Sequence, residues 1–350
     1  MNETAEQLHL RYKMLVGNRA FSAGKRITRR ETSMRGSIQK TFAFLLIFIM
    51  TLLPGLGLGE IIQLPIDFSP GTRPVDVYEQ GKTTYDDPSI HVVRAWGKND
   101  QFGCTVYTMD ITIANATQLR TESCNGGDNG FNSRSESATV PQMAKRVNAI
   151  VAMDGDSFAK RDGHDYVLRQ GILYRESKET WHDLLLIDED GDFHIILAGN
   201  RETEEAGKPQ SSFPSTPLTL EMQTMVDGKK VINGFEFGPC IILNGQLVDA
   251  NPRSIVHPHK SQSWNPAQRI CLCQIGPLQY RIVAVAKFGL SVQDMARLVY
   301  SMGDVQTAYM FDGGEATQIA FLGTKINNTD AKNIRRVSDI IYFASAYQPD

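Results

Sequence analysis

Ala308-Tyr309-Met310-Phe311-Asp312-Gly313-Gly314-Glu315-Ala316-Thr317-Gln318 is the stretch whose reading decides the fold. An apolar run, Val305 to Phe311, stops at a carboxylate. Two glycines follow, then a second carboxylate, a hydroxyl and an amide. A β-branched and aromatic run closed by Gly-Gly predicts a buried strand entering a tight turn. Paired glycines allow positive φ or close approach of a ligand to the main chain. An ordinary Asp-Gly-Gly turn fits the local pattern equally well, so the surrounding chain must decide.

The same arrangement occurs earlier. Thr139-Val140-Pro141 opens a helix with a capping residue and an early proline. Ala149 to Met153 then reads as a short buried strand, and it ends on Asp154-Gly155-Asp156-Ser157-Phe158. Before the opening stretch, Ser291 is an N-cap with Asp294 three residues on. Val292, Met295, Ala296, Val299 and Met302 hold helical spacing, and Gly303 ends the run. Helix, turn, strand and acidic glycine turn therefore recur at 139–156 and 291–315. Packing the two units together would gather Asp154, Asp156, Asp312 and Glu315. Carboxylates clustered at strand ends serve as an acid/base pair, a metal site or turn caps. A phosphodiester substrate would also need a cation. Arg269, after Asn265-Pro266 at the start of a predicted strand, is the best-placed candidate, with a surface or salt-bridged arginine as the alternative.

The amino end reads as an address. Residues 41–59 carry no charge, and the unbroken apolar part, Phe42 to Leu53, has the length of a signal-peptide core. Basic residues precede it, so the chain beyond residue 60 is expected outside the cytoplasm, secreted or membrane-anchored. Residues 1–40 read as a basic cytosolic tail or a mis-called start, and 60–100 as a proline-rich linker. The domain proper is expected at 101–347. Of the net charge of −3, the first 59 residues contribute +6 and the remainder −9. An acidic body argues against a nucleic-acid partner.

Between these landmarks the chain reads as hairpins. Gly103–Ile113 is a strand, with 118–122 as its partner. Further hairpins are expected at 166–174, 184–198, 237–248 and 269–288. The acidic turn Asp188 to Asp192 suggests calcium but lacks the rest of an EF-hand loop, so it reads as a solvated turn. His257 and His259 sit in a loop. Cys104 and Cys124 could pair in an oxidising compartment, whereas Cys240, Cys271 and Cys273 read as buried thiols. No zinc spacing is present.

Taken together, these motifs resemble the phosphodiester glycosidase family, which has lysosomal and exported, exopolysaccharide-associated bacterial members. The likeness rests on Asp154 to Phe158, on Phe237-Gly238-Pro239 with Asn244-Gly245, and on Gln268 to Cys273. It extends to Gly289-Leu290-Ser291 and to Phe311-Asp312-Gly313-Gly314 with Gln318. It runs from about residue 102 to 344. Against the family pattern, Asp154 replaces Asn, Ile270 replaces Thr and Met310 replaces Asn. Glu315 and Ala316 replace Gly and Ser.

The resemblance implies a mixed α/β (α+β), strand-rich single domain with few helices packed on a sheet. It implies an exported hydrolase cleaving a sugar-1-phosphodiester bond in a cell-envelope or extracellular glycan. Arg269 would hold the phosphate, while Asp312 and Asp156 would supply acid, base or nucleophile. Gly313 and Gly314 would present backbone N–H groups, and Asp154, Glu315, Thr317 and Gln318 would orient the sugar. No cofactor is expected, with a divalent metal left open. The implied partners are a carbohydrate or glycan phosphodiester and, if 41–59 is uncleaved, a membrane. The rival readings are a non-catalytic binder of anionic glycan and a metal-dependent phosphodiesterase.

Overall fold

Alternation along two strands sets the architecture. In Ala267–Gly276, Ile270 and Leu272 point into one apolar cluster and Cys271 and Cys273 into another. In Gln279–Leu290, Ile282 and Ala284 join the first cluster and Val283 and Val285 the second. A strand whose two faces are both apolar must be covered on both sides. The first cluster is the central core. The second is closed by the helix Val292–Tyr300, through Val292, Met295 and Val299.

The computed structural model describes residues 59–127, 130–131, 135–156, 166–180, 182–198, 216–248, 265–327 and 334–350. The predicted signal segment at 41–59 lies outside them except for Gly59, as do Ser157, Phe158, His257 and His259. Among the described residues, no helix is long and apolar enough to cross a membrane.

Among the described residues, two large sheets face each other across the central core. The first has eight strands, with Cys240–Leu243, Thr307–Met310, Ala267–Gly276, Gln279–Leu290, Cys104–Ile113 and Ile90–Asn99 adjacent in that order. The second has five and places Ile319–Phe321, Ala149–Asp154, Asp339–Ala344 and Leu119–Ser123 side by side. A further sheet, built on Leu184–Asp188 and Lys229–Glu236, adds Leu185, Ile187 and Phe235 to the same core. The outer face of the five-stranded sheet is covered by the helix Val140–Arg146, through Val140, Met143 and Ala144. Both predicted helix starts are formed. Ser291 Oγ accepts the Asp294 N–H at 3.1 Å, and Gln142 Oε1 accepts the Thr139 N–H at 2.9 Å. The domain is strand-rich with few helices, as expected, but it has several sheets rather than one.

Several expectations change. Leu119–Ser123 does not pair with Cys104–Ile113; it lies in the other sheet, against Asp339–Ala344. Part of the stretch read as a linker is a hairpin, Thr84–Asp87 with Ile90–Asn99, that extends the eight-stranded sheet. Cys104 and Cys124 are both free and buried. They pack in separate clusters on the outer faces of the two large sheets, which precludes a bond between them. Cys271 and Cys273 are free as expected, with sulfurs 3.7 Å apart. The acidic turn is not simply solvated. Asp188 is buried, accepts the Asp190 and Asp192 N–H groups at 2.9 Å, and meets the Lys229 ammonium at 3.4 Å.

Candidate active site

The two acidic strand ends belong to different sheets, yet they meet. Thr307–Met310 ends in the eight-stranded sheet and Ala149–Asp154 in the five-stranded one. Just beyond both ends the Asp312 N–H donates to the Gly155 carbonyl at 3.4 Å. Phe311 anchors this crossing. It is buried in the central core, edge-on to Phe235 with centroids 5.2 Å apart.

Asp154 is wholly buried. Its Oδ1 accepts the Gln318 N–H at 3.0 Å, and its Oδ2 has no hydrogen-bond partner among the described residues. Burial pushes this carboxyl well above the ordinary carboxylate range, against the pull of the Gln318 N–H. The nearby charges of Asp312 and Asp339 push it further. Asp312 is partly open to solvent, and its Oδ2 lies 3.6 Å from Arg335. Gln318 also donates through Nε2 to the Arg335 carbonyl at 2.8 Å. Asp154, Asp312, Gln318 and Arg335 thus form one cluster.

Asp156 lies in a second, buried cluster. Arg169 Nη2 is 2.9 Å from Asp156 and 3.1 Å from Asp339 Oδ2, and Nε reaches the same Asp339 oxygen at 3.2 Å. The guanidinium is fully buried, stacks 4.0 Å over Phe235 and donates to the Gly234 carbonyl. Burial, helped by the Asp156 charge and opposed by Arg169, pushes the Asp339 carboxyl up to about 7. Gly155 separates the two clusters. A Cβ there would stand 2.2 Å from Asp339 Oδ1, so only glycine fits this crossing.

Arg269 backs the Gly-Gly turn. Its Nε donates to the Leu290 carbonyl and its Nη2 to the Asn265 carbonyl, each at 3.1 Å. Burial pulls the guanidinium down to about 10. A Cβ on Gly313 would come within 2.8 Å of the Gln268 carbonyl and 3.6 Å of Arg269 Nη1, so the turn lies directly against this arginine. Gly314 has φ +64° and starts the short turn Gly314–Ala316. Of the other predicted residues, Glu315 is exposed. Thr317 is buried, and its Oγ1 has no hydrogen-bond partner among the described residues.

Sequence reading did not single out Asp339, Arg169 or Arg335. Asp339 carried a usable signal, a carboxylate at the mouth of the apolar run Ile340 to Phe343, mirroring Asp154 and Asp312. Arg169 carried none; it precedes a Gln-Gly hairpin turn like any surface arginine. Among the described residues, no group of three His, Cys, Asp or Glu is arranged to hold a metal ion.

A family model described as phosphodiester glycosidase matches residues 147–344, more than half the chain. The chain belongs to the phosphodiester glycosidase family. The match begins at 147 rather than near 102, and it includes both acidic strand ends, Arg169, Arg269 and Asp339. Among solved structures, this phosphodiester glycosidase domain is similar to the catalytic domain of zebrafish N-acetylglucosamine-1-phosphodiester alpha-N-acetylglucosaminidase auto-inhibited by pro-peptide. The TM-score is 0.53 at 12% identity, covering 78% of this chain and 87% of that one. It is also similar to a hypothetical protein from Synechocystis, with a TM-score of 0.51 at 14% identity, covering 75% and 64%. At such identities the likeness is one of fold. No curated protein sequence matches the chain.

Proposed function

We propose that this phosphodiester glycosidase-family protein hydrolyses a sugar-1-phosphodiester at the crossing of the two acidic strand ends. The observation that carries the reading is the bond from the Asp312 N–H to the Gly155 carbonyl, 3.4 Å. It brings a partly open carboxylate, a buried carboxyl and an arginine-backed glycine turn to one place. Two carboxyl groups in contrasting environments are the usual equipment for glycosidic cleavage.

In this reading Asp312 faces the substrate and acts as base or nucleophile at the sugar carbon. Asp154 sits behind it as the protonated member of the pair. Two nearby carboxyl groups do not readily ionise together, and burial selects Asp154 as the one that keeps its proton. Arg269 holds the phosphate, which leaves with the aglycone. Gly313 and Gly314 let the phosphate approach the main chain, and Glu315 is exposed on the sugar side with Thr317 and Gln318 buried beneath it. Asp156 supports rather than reacts, because Arg169 clamps it to Asp339. The uncharged segment at 41–59 supports action outside the cytoplasm, on a cell-envelope or extracellular glycan. No step calls for a metal.

The test is a screen of the purified full chain against a panel of sugar-1-phosphodiesters, with and without EDTA and with Asp312→Ala as control. Release of free sugar that survives EDTA and vanishes with Asp312→Ala is the expected result. Binding without turnover by the wild type would favour a glycan-binding role instead, and loss of turnover in EDTA a metal-dependent phosphodiesterase.

A further inference from the structure

The loop behind Arg269 carries a feature that neither packing nor backbone preference explains. The strands Ala267–Gly276 and Gln279–Leu290 pair in step from Gln274 opposite Tyr280 to Arg269 opposite Val285. The next pair is Ala267 opposite Leu290, so residues 286–289 bulge out against the single residue Gln268. Within that bulge Phe288 has φ +75° and is 85% exposed. A bulky side chain in left-handed backbone is an outlier, and Gly or Asn would be favoured there. A large apolar ring in water gains nothing from burial in return. Backbone strain of this kind clusters at active sites and ligand clamps.

The position says what that contact is. Leu290, two residues on, gives its carbonyl to Arg269 Nε at 3.1 Å. Phe288 thus lies within two residues of the carbonyl that holds the Arg269 guanidinium. Gly289 pins the bulge to the strand below, since a Cβ there would stand 1.8 Å from the Ala267 carbonyl. The next residue of that strand, Gln268, has its carbonyl against Gly313. Bulge, arginine and glycine turn are therefore stacked in direct sequence.

We propose that Phe288 is the platform on which the sugar ring of the substrate stacks while Arg269 holds its phosphate, an inference that rests on the function proposed above. Aromatic faces meet the C–H face of a pyranose as they meet other apolar faces. Stacking on the face of the ring would hold the sugar alike in the ground and transition states, and so would act on KM rather than kcat.

Two variants test it. Phe288→Gly suits the observed φ and should raise Tm while raising KM about three- to tenfold at unchanged kcat. Phe288→Trp should keep the wild-type KM. Calorimetry with glucose, galactose and N-acetylglucosamine 1-phosphates gives a second readout that does not need turnover, and the same loss and rescue are expected in Kd. Phe288→Gly with wild-type KM and Kd, or no rescue by Trp, overturns the platform and leaves the hydrolase reading intact. A wild type that neither turns over a sugar-1-phosphodiester nor binds any of the three sugar 1-phosphates overturns both.

Discussion

Arg169→Met removes the cation that joins two buried carboxylates. Asp156 and Asp339 have side chains 3% and 1% exposed, and Arg169 touches both within 3.2 Å. Methionine fills much of the same space but offers no charge and no donor. Removing one partner from a buried ion pair costs about 3–5 kcal/mol, a large part of the 5–15 kcal/mol of a typical domain. The loss must depend on pH. In the wild type, burial already holds the Asp339 carboxyl up to about 7, above its unfolded range near 4. A carboxyl whose folded pKa is raised binds its proton more tightly in the native state. Its contribution is therefore most favourable below pH 4 and is lost as pH rises toward 7. Without Arg169 the pKa rises further, because the attraction that opposed burial is gone, so the variant suffers most at alkaline pH. Urea unfolding of wild type and Arg169→Met at pH 5 and pH 8 measures both effects. A loss of several kcal/mol at pH 8 that shrinks at pH 5 is expected. A loss under about 1 kcal/mol, or one equal at both pH values, would refute the assignment of Arg169 as the clamp.

Other outcomes follow from the same geometry. Gly155→Ala would drive a methyl to 2.2 Å from Asp339 Oδ1, which Arg169 prevents from swinging away; a loss of about 1–3 kcal/mol in urea unfolding is expected. Asp154→Asn replaces a carboxyl that burial keeps protonated with a neutral isostere, so stability at pH 8 should hold or rise. The same variant should lose the limb of the pH–activity profile that reports the Asp154 proton, as kcat/KM measured from pH 4 to 9 would show.

Much of the fold was legible because its strands and helices obey strict periods. Ser291 and Thr139 mark the helix starts, and Asn244-Gly245 marks a hairpin with φ +51° and +71° at its turn. Leu119–Ser123 was misassigned because Arg120, Thr121, Glu122 and Ser123 are all buried. A strand whose buried positions are polar shows no alternation, and its partner, Asp339–Ala344, lies over two hundred residues away. The hairpin at 84–99 was hidden by the prolines before it. At the site, Asp154, Asp312, Arg269 and the glycines were visible because chemistry at a strand end is a local pattern. The clamp was not, because Arg169 and Asp339 are 170 residues apart and only tertiary contact gives either its meaning. The two helix–strand units do converge, but from separate sheets, a topology that local periodicity does not specify.

If the glycosidic bond of a sugar-1-phosphodiester breaks at Asp312, with the phosphate held by Arg269, the oxygen of water ends on the sugar carbon and not on phosphorus. Hydrolysis in ¹⁸O-labelled water, with both products read by mass spectrometry, tests it most directly. The label is expected in the sugar and none in the phosphomonoester, with Asp312→Asn and Arg269→Met each reducing product at least about a hundredfold at unchanged fold. Label in the phosphate, or product undiminished in either variant, would contradict it.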